Sequence, residues 1–315
     1  MKSIATTLLL LLLASVSTGQ SAMNLTSQGS IEVPAFHRGM AGTWSQGALV
    51  VMSDRFSSAP SFRMYDRSGK ETSNISLTIP NAARINIYDN AFARSADGTL
   101  AVIGTASTDD NRGTTFFAAI SPSGEKLIVR LSPFFPNAVT IASDGTYWIA
   151  GHQWQEGQPQ DRSQNLFRRY DQNGKLLDSF LPWATVNDVP HTLAPDANSV
   201  LVSSGKRVVW YARNSRTYIE FSLDGRIVKR VQAPDIDQGT VTSLAVCDHA
   251  TYIGASVLAS DKRVASWGLY EISEQAKDWT FLPQAKTWGF LHGCDGNTVL
   301  SHDGPTTISL LSKPE

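Results

Sequence analysis

A repeating unit of about 50 residues constrains the fold of this chain more than any other feature. One element of the repeat reads as a strand of alternating apolar residues, a glycine turn and a second strand. Its four copies span residues 62–77, 117–131, 166–181 and 218–231, with turns at Gly69, Gly124, Gly174 and Gly225. Because glycine accepts the positive φ that a tight hairpin requires, these copies predict four regularly spaced hairpins.

A second element lies between these hairpins and consists of a short strand, a turn and a more apolar strand. Six copies at the same period, each contributing to a unit of four strands, are typical of β-propeller blades. The sequence therefore predicts an all-β fold, a six-bladed β-propeller. The six turns are centred near Gly47, Gly98, Gly145, Asn198, Ala250 and Asn297.

The sixth repeat shows how the ring closes. It contains first, second and third strands at residues 289–294, 298–302 and 306–311, and no fourth strand follows them. One alternating strand, at residues 30–33, precedes the first repeat. Placing this strand in the sixth blade leaves no unpaired edge there, so we expect the N-terminal strand to close the last blade.

The first 22 residues have the order of a cleavable signal peptide. Lys2 precedes an apolar run, and small and polar residues follow, with cleavage expected after Gly19 or Ala22. The alternative is a retained anchor, although the apolar run of about ten residues is shorter than the roughly 20 that span a bilayer. We therefore expect a signal peptide at 1–22, a single propeller domain at 23–315, an extracytoplasmic location (periplasmic or secreted) and no retained transmembrane segment.

Charge excludes one class of partner. The chain has 27 Lys and Arg against 28 Asp and Glu, and its basic residues form no cluster longer than a pair. Nucleic-acid binding depends on concentrated positive charge that neutralises phosphates. We therefore expect no nucleic-acid partner.

The best repeat resembles a known group of propellers. Residues 143–154 (SDGTYWIAGHQW) and 165–180 (NLFRRYDQNGKLLDSF) resemble the NHL and TolB-like six-bladed propellers, in which a turn and an apolar strand precede a strand-D-x-x-G-K hairpin. The resemblance extends from Gly42 to Leu311 and is weak in the fifth blade, where Glu274 and Gln275 replace the hairpin glycine. It implies the architecture, but this group includes binding scaffolds, lactonases, esterases and lyases.

The loops on one face of the propeller are the expected site. The connections between blades and those between second and third strands open there, and longer loops are the usual carriers of function. Trp154 lies among Gln residues in one of these loops, and an aromatic face beside amide groups suits contact with a peptide or glycan. We therefore predict that the chain binds a protein, peptide or glycan partner. The alternative is that Trp154 packs against its own blade. The ligand-binding candidates are Trp154, Glu156, His37, His191 and Trp288.

Oxygen-bearing residues in the connections between blades raise a second possibility. Calcium takes six to eight oxygen ligands, and the resemblance to lactonases and esterases implies such a metal at the channel mouth. The alternative function is thus a calcium-assisted hydrolase, although Asp and Asn are also ordinary turn residues. These loops contain no Glu, and no nucleophile-elbow or zinc motif occurs, so the catalytic residues are unknown. The metal candidates are Asp89, Asn137, Asp188 and Asp237.

Histidines and cysteines add two further hypotheses. His37, His191 and His292 occupy corresponding regions of their repeats, which is compatible with an acid–base or metal cluster. Cys247 and Cys294 hold the same place in the fifth and sixth repeats, and thiols of exported proteins tend to oxidise. We expect a disulfide between them, the alternative being two buried free thiols.

Overall fold

Six separate antiparallel sheets make up the structure, a computed structural model. Their innermost strands contact one another in succession, and the last of them contacts the first. This closed ring of sheets is a six-bladed β-propeller, as the repeat predicts. The structure describes residues 25–33, 42–88, 91–110, 112–153, 163–186, 199–213, 215–234, 236, 239–258, 264–282, 290–304 and 306–313.

Blades one to three follow the chain order from the axis outward. Blade one contains β2 (Gly42–Ser45), β3 (Ala48–Ser53), β5 (Ser61–Tyr65) and β6 (Glu71–Ser76). Blade two contains β7 (Arg84–Asn86), β8 (Phe92–Arg94), β9 (Leu100–Ser107), β10 (Gly113–Ile120) and β11 (Lys126–Arg130), and it also recruits β4 (Phe56–Ser57). Blade three contains β12 (Phe134–Ile141), β13 (Tyr147–Gln153), β14 (Asn165–Tyr170) and β15 (Leu176–Pro182).

Blades four to six complete the ring. A short 3-10 helix, Trp183–Thr185, follows the outer strand of blade three. Blade four contains β16 (Val200–Ser204), β17 (Arg207–Ala212), β18 (Thr217–Ser222) and β19 (Ile227–Gln232). Blade five contains β20 (Gly239–Val246), β21 (Ala250–Leu258), β22 (Val264–Ser273) and β23 (Thr280–Leu282). Blade six contains β24 (Leu291–Asp295), β25 (Thr298–His302), β26 (Thr307–Ser312) and β1 (Thr26–Glu32).

The N-terminal strand closes blade six, and this confirms the predicted closure. Strand β1 is antiparallel to β26, with Ile31 opposite Ile308 and Thr26 opposite Ser312. It begins four residues before the predicted start at Ser30, and Ile31 and Val33 are buried. The outer edge of the last sheet is thus covered by the segment that leads into the first blade.

Asp side chains hold the backbone of the hairpin turns in blades one and three. In blade three the Asp171 carboxylate accepts hydrogen bonds from the backbone N–H of Asn173 (2.9 Å) and Lys175 (2.8 Å). Gly174 then adopts a φ of +77°, which an L side chain rarely takes. Asp66 and Gly69 repeat this arrangement in blade one. These turns all lie on the face opposite the longer loops, which leaves that loop face for function.

The core lies between the blades. At the boundary of blades three and four, Trp148, Phe167 and Phe221 are buried and their rings pack edge-on or tilted. Burying aromatic surface of this size supplies a large share of the hydrophobic free energy of folding. Within the part of the chain that the structure describes, no helix has the length and apolar character to cross a membrane.

Candidate functional site

Only a few of the predicted site residues fall within the described ranges. Asn137, Cys247, Cys294 and His292 are described. The other candidates lie outside the described residues, and their predicted roles stay predictions. These are His37, Asp89, Trp154, Glu156, Asp188, His191, Asp237 and Trp288.

Asn137 lies inside an innermost strand and not in a loop between blades, where the sequence analysis placed it. In the β12–β13 ladder, Pro136 pairs with Gly151 and Ala138 pairs with Ala150. Asn137 is therefore the extra residue of a β-bulge, a feature that reorients side chains and is common near functional sites. Gly151 permits this close pairing, because a Cβ atom there would lie 2.2 Å from the Phe135 carbonyl oxygen.

Innermost strands of two other blades carry bulges in the half nearer the loop face. The extra residue is Thr242 in β20 of blade five and His292 in β24 of blade six. A strict two-residue alternation of apolar residues does not reveal such bulges, because each bulge inserts one residue that interrupts the alternation. The sequence analysis consequently placed Asn137 in a loop, and it placed His292 in the first strand of the sixth repeat without recognising a bulge there.

Blade two departs furthest from the repeat. Its innermost strand is split into β7 and β8, which pair with opposite ends of β9. The chain leaves the sheet between them, with Ile87 and Ala91 buried and Tyr88 43% exposed. Asp89, predicted in a loop between blades, lies outside the described residues, and its role stays a prediction.

An additional strand extends blade two toward the axis. The loop between β3 and β5 of blade one contains β4, which pairs with β7, so that the strand order is β11-β10-β9-β7-β4. Since β7 occupies the innermost position of the blade, β4 lies one strand nearer the axis, at the loop face. The sequence analysis missed this strand because two residues are too short for a recognisable alternation.

Exposed aromatic and cationic side chains meet at this added strand. Phe56 on β4 is 55% exposed, although a ring of this kind is usually buried. The guanidinium of Arg84, itself exposed on β7, lies 5.4 Å from the centre of the Phe56 ring in a cation–π contact. Opposite Phe56, the Asn86 Oδ1 atom is buried and accepts no hydrogen bond from the described residues. We call Phe56, Arg84 and Tyr88 the inner platform.

His292 forms a pair that the sequence analysis did not anticipate. Its Nε2 atom lies 3.3 Å from Nδ1 of His302, and its Nδ1 atom lies 3.0 Å from the carbonyl oxygen of Gly42 in blade one. A carbonyl only accepts, so neutral His292 carries its proton on Nδ1 and accepts from His302 on Nε2. The pKa of His292 is lowered from 6.5 to about 4, chiefly by burial; the bond to Gly42 opposes this shift and the neighbouring His302 contributes to it. The predicted partners His37 and His191 lie outside the described residues.

His152 is a second buried histidine on the loop-face side. His152 is the penultimate residue of β13, and its ring stacks on Phe135 with the ring centres 5.9 Å apart. Its Nδ1 atom is buried and has no hydrogen-bond partner among the described residues. Burial lowers the pKa of His152 to about 4, so the ring is neutral near pH 7. The sequence contains a signal for this position, because His152 begins the long polar segment 152–163 (HQWQEGQPQDRS) in which the candidate Trp154 occurs.

The two cysteines are joined in the structure. Cys247 follows β20 and Cys294 lies in β24, and a disulfide connects them with the Cα atoms 5.1 Å apart. That distance is within the range that disulfides span, although innermost strands diverge from the axis. The bridge links blades five and six near the ends of their innermost strands, on the side of the short turns.

The described residues do not form a metal site. No group of three or more His, Cys, Asp or Glu side chains within those ranges is arranged to hold an ion. Of the four metal candidates, Asn137 alone is described, and it supplies one oxygen where calcium takes six to eight.

Comparison with known proteins supports the fold and no more. No family profile and no curated protein matches the chain. Among solved structures, a member of the DUF4221 family from Bacteroides vulgatus superposes with a TM-score of 0.54 at 9% identity, covering 92% of this chain and 97% of its own. The structure of YjhT superposes with a TM-score of 0.51 at 12% identity, covering 89% and 96%. The class that fold and strand order define is the six-bladed β-propeller.

Proposed function

We propose that this chain is an extracytoplasmic binding propeller that takes up its ligand at the channel mouth on the loop face. The observation that carries the proposal is the inner platform on β4 and β7. Exposed Tyr88 and Arg84 are of the residue types that dominate binding energy at protein interfaces, and exposed Phe56 is of a type enriched there. Among the described aromatic residues that are exposed, which also include Phe281 and Phe290, Phe56 is the most exposed.

We also propose a distant relationship to the NHL and TolB-like propellers. Its support is the D-x-x-G hairpin, whose Asp carboxylates hold the turns at Asp66 and Asp171. The calcium-assisted hydrolase stays an alternative prediction, since three of its four candidate ligands lie outside the described residues. Elemental analysis of the purified protein for bound calcium separates the two functions.

Binding at the inner platform is testable by substitution. Arrays of peptides and of glycans are probed with the wild-type protein and with the triple variant Phe56→Ala/Arg84→Ala/Tyr88→Ala. We expect ligands of the wild type to lose at least ten-fold in affinity, because several hot-spot side chains are removed together. A matched control is Ile227→Ala/Val228→Ala, which truncates exposed apolar residues on the outer strand of blade four. Equal binding by both variants would contradict the proposal.

A further inference from the structure

We propose that the inner edge of β4 binds an extended peptide by strand addition, with the backbone of Phe56 as the pairing group. The inference rests on the proposed function and names its ligand class. It comes from the direction of the backbone groups on β4, together with the exposed side chains beside them. Strand addition is an established way for an exposed sheet edge to bind a peptide.

The hydrogen-bond pattern gives the direction of each backbone group. The Ile87 N–H donates to the carbonyl of Arg55 at 3.4 Å, so the Arg55 carbonyl points toward β7. Directly opposite residues in an antiparallel ladder alternate between hydrogen-bonded and non-hydrogen-bonded pairs. Arg55–Ile87 and Ser57–Ile85 are thus the hydrogen-bonded type, and Phe56–Asn86 is the non-hydrogen-bonded type.

It follows that the N–H and the C=O of Phe56 both point away from β7. Because the strand order of the described residues ends at β4, they point to the side of the sheet nearest the axis. One residue of an antiparallel peptide can accept a hydrogen bond from this N–H and donate one to this C=O. An unpaired edge is a template for another strand, and natural proteins usually cover such edges.

The side chains beside this edge indicate what the peptide carries. The Phe56 ring is 55% exposed and offers apolar area to a side chain next to the paired residue. Arg84 is exposed beside the ring and attracts a carboxylate, since its guanidinium donates several hydrogen bonds in a fixed geometry. We therefore infer an extended segment with an apolar residue flanked by Asp or Glu.

A peptide fits these observations better than a glycan does. A sugar ring can stack on an exposed aromatic side chain, but it does not present a matching acceptor and donor with the spacing of a β-ladder. The platform offers both kinds of group at one residue. Since β4 contributes few backbone bonds, the side-chain contacts set much of the affinity.

The test separates the backbone of Phe56 from its ring. Dodecapeptides selected on the wild-type protein from a random displayed library are synthesised and titrated against three variants. Phe56→Pro removes the outward N–H and leaves the bonds of Arg55 and Ser57 to β7, because proline is tolerated on edge strands. Phe56→Leu keeps the backbone and an apolar side chain, and Arg84→Gln removes the charge. Melting temperatures establish that each variant is folded.

We expect Phe56→Pro to weaken binding at least ten-fold and Phe56→Leu to weaken it less than Phe56→Pro does. Arg84→Gln should weaken binding chiefly for peptides that contain Asp or Glu. Equal affinity of the wild type and Phe56→Pro overturns strand addition. Glycan binding that Phe56→Ala abolishes, without any selected peptide, overturns the inference and leaves the proposed function standing. Binding that no substitution in the inner platform changes overturns both.

Discussion

The two boundaries of blade six are held in different ways. Toward blade five, the Cys247–Cys294 disulfide is joined by a 2.7 Å ion pair between Lys313 and the buried carboxylate of Glu271. Toward blade one, the described contacts are non-covalent, and the bond from His292 to the Gly42 carbonyl is one of them. The covalent bridge therefore lies beside the closing junction and does not form it.

Strand sharing does the closing instead. Strand β1 completes the sheet of blade six, and the chain that follows it enters blade one at β2. Opening the ring requires that β1 be detached from β26, whatever the state of the disulfide. The two ends of the chain are thus held by main-chain pairing, while the bridge adds stability to a neighbouring pair of blades.

Removal of β1 should have the largest effect. A variant that lacks residues up to Pro34 exposes the edge of β26 and the buried surface beneath Ile31 and Val33. We expect loss of soluble protein that unfolds cooperatively, because an open edge also promotes aggregation. Solubility and calorimetric melting measure this. The control lacks only residues 1–22, and comparable melting of the two variants would show that β1 is dispensable.

Loss of the disulfide should have the next largest effect. The bridge spans a sequence separation of 47 residues, for which the chain-entropy model gives about 4 kcal/mol. The variant Cys247→Ser/Cys294→Ser should remain a closed ring and melt about 10 °C lower. Mass spectrometry of native protein alkylated without reduction should find no labelled cysteine. Two labelled cysteines in that material would refute the bridge and remove the contrast between the two boundaries.

Acid should weaken the boundary with blade one by a smaller amount. The pKa of His292 is about 4 in the fold and 6.5 as its ordinary value, so the folded state binds fewer protons. The contribution is complete above pH 6.5 and is lost as the pH falls toward 4, about 2 kcal/mol of it between pH 7 and pH 5. His152 adds a loss of the same sign.

Denaturant unfolding at pH 7 and pH 5 measures this loss. His292→Asn should reduce the pH dependence of the free energy of unfolding, whatever it does to stability at pH 7. His249→Asn, on the exposed turn before β21, is the matched control and should behave as the wild type does. An unchanged pH dependence in His292→Asn would mean that His292 is not protonated on unfolding in this range.

The sequence by itself determined the ring of six blades and its closure. Both follow from local chemistry, because Asp and Gly at fixed places form turns and alternating apolar residues form half-buried strands. Residues 30–33 were assigned to blade six because the last repeat lacked a strand, and the pairing of Ile31 with Ile308 confirms it. Each local pattern is weak by itself, but it recurs from repeat to repeat, and the copies together predict the fold.

Only the tertiary structure decided what lies at the channel mouth. Four features break the repeat on which the prediction rests. They are the bulges at Asn137 and His292, the split between β7 and β8, and the recruitment of β4 by blade two. Each depends on contacts between segments distant in sequence, such as Phe56 with Asn86 or His292 with Gly42. Local propensity carries no information about such contacts, since packing between blades selects them.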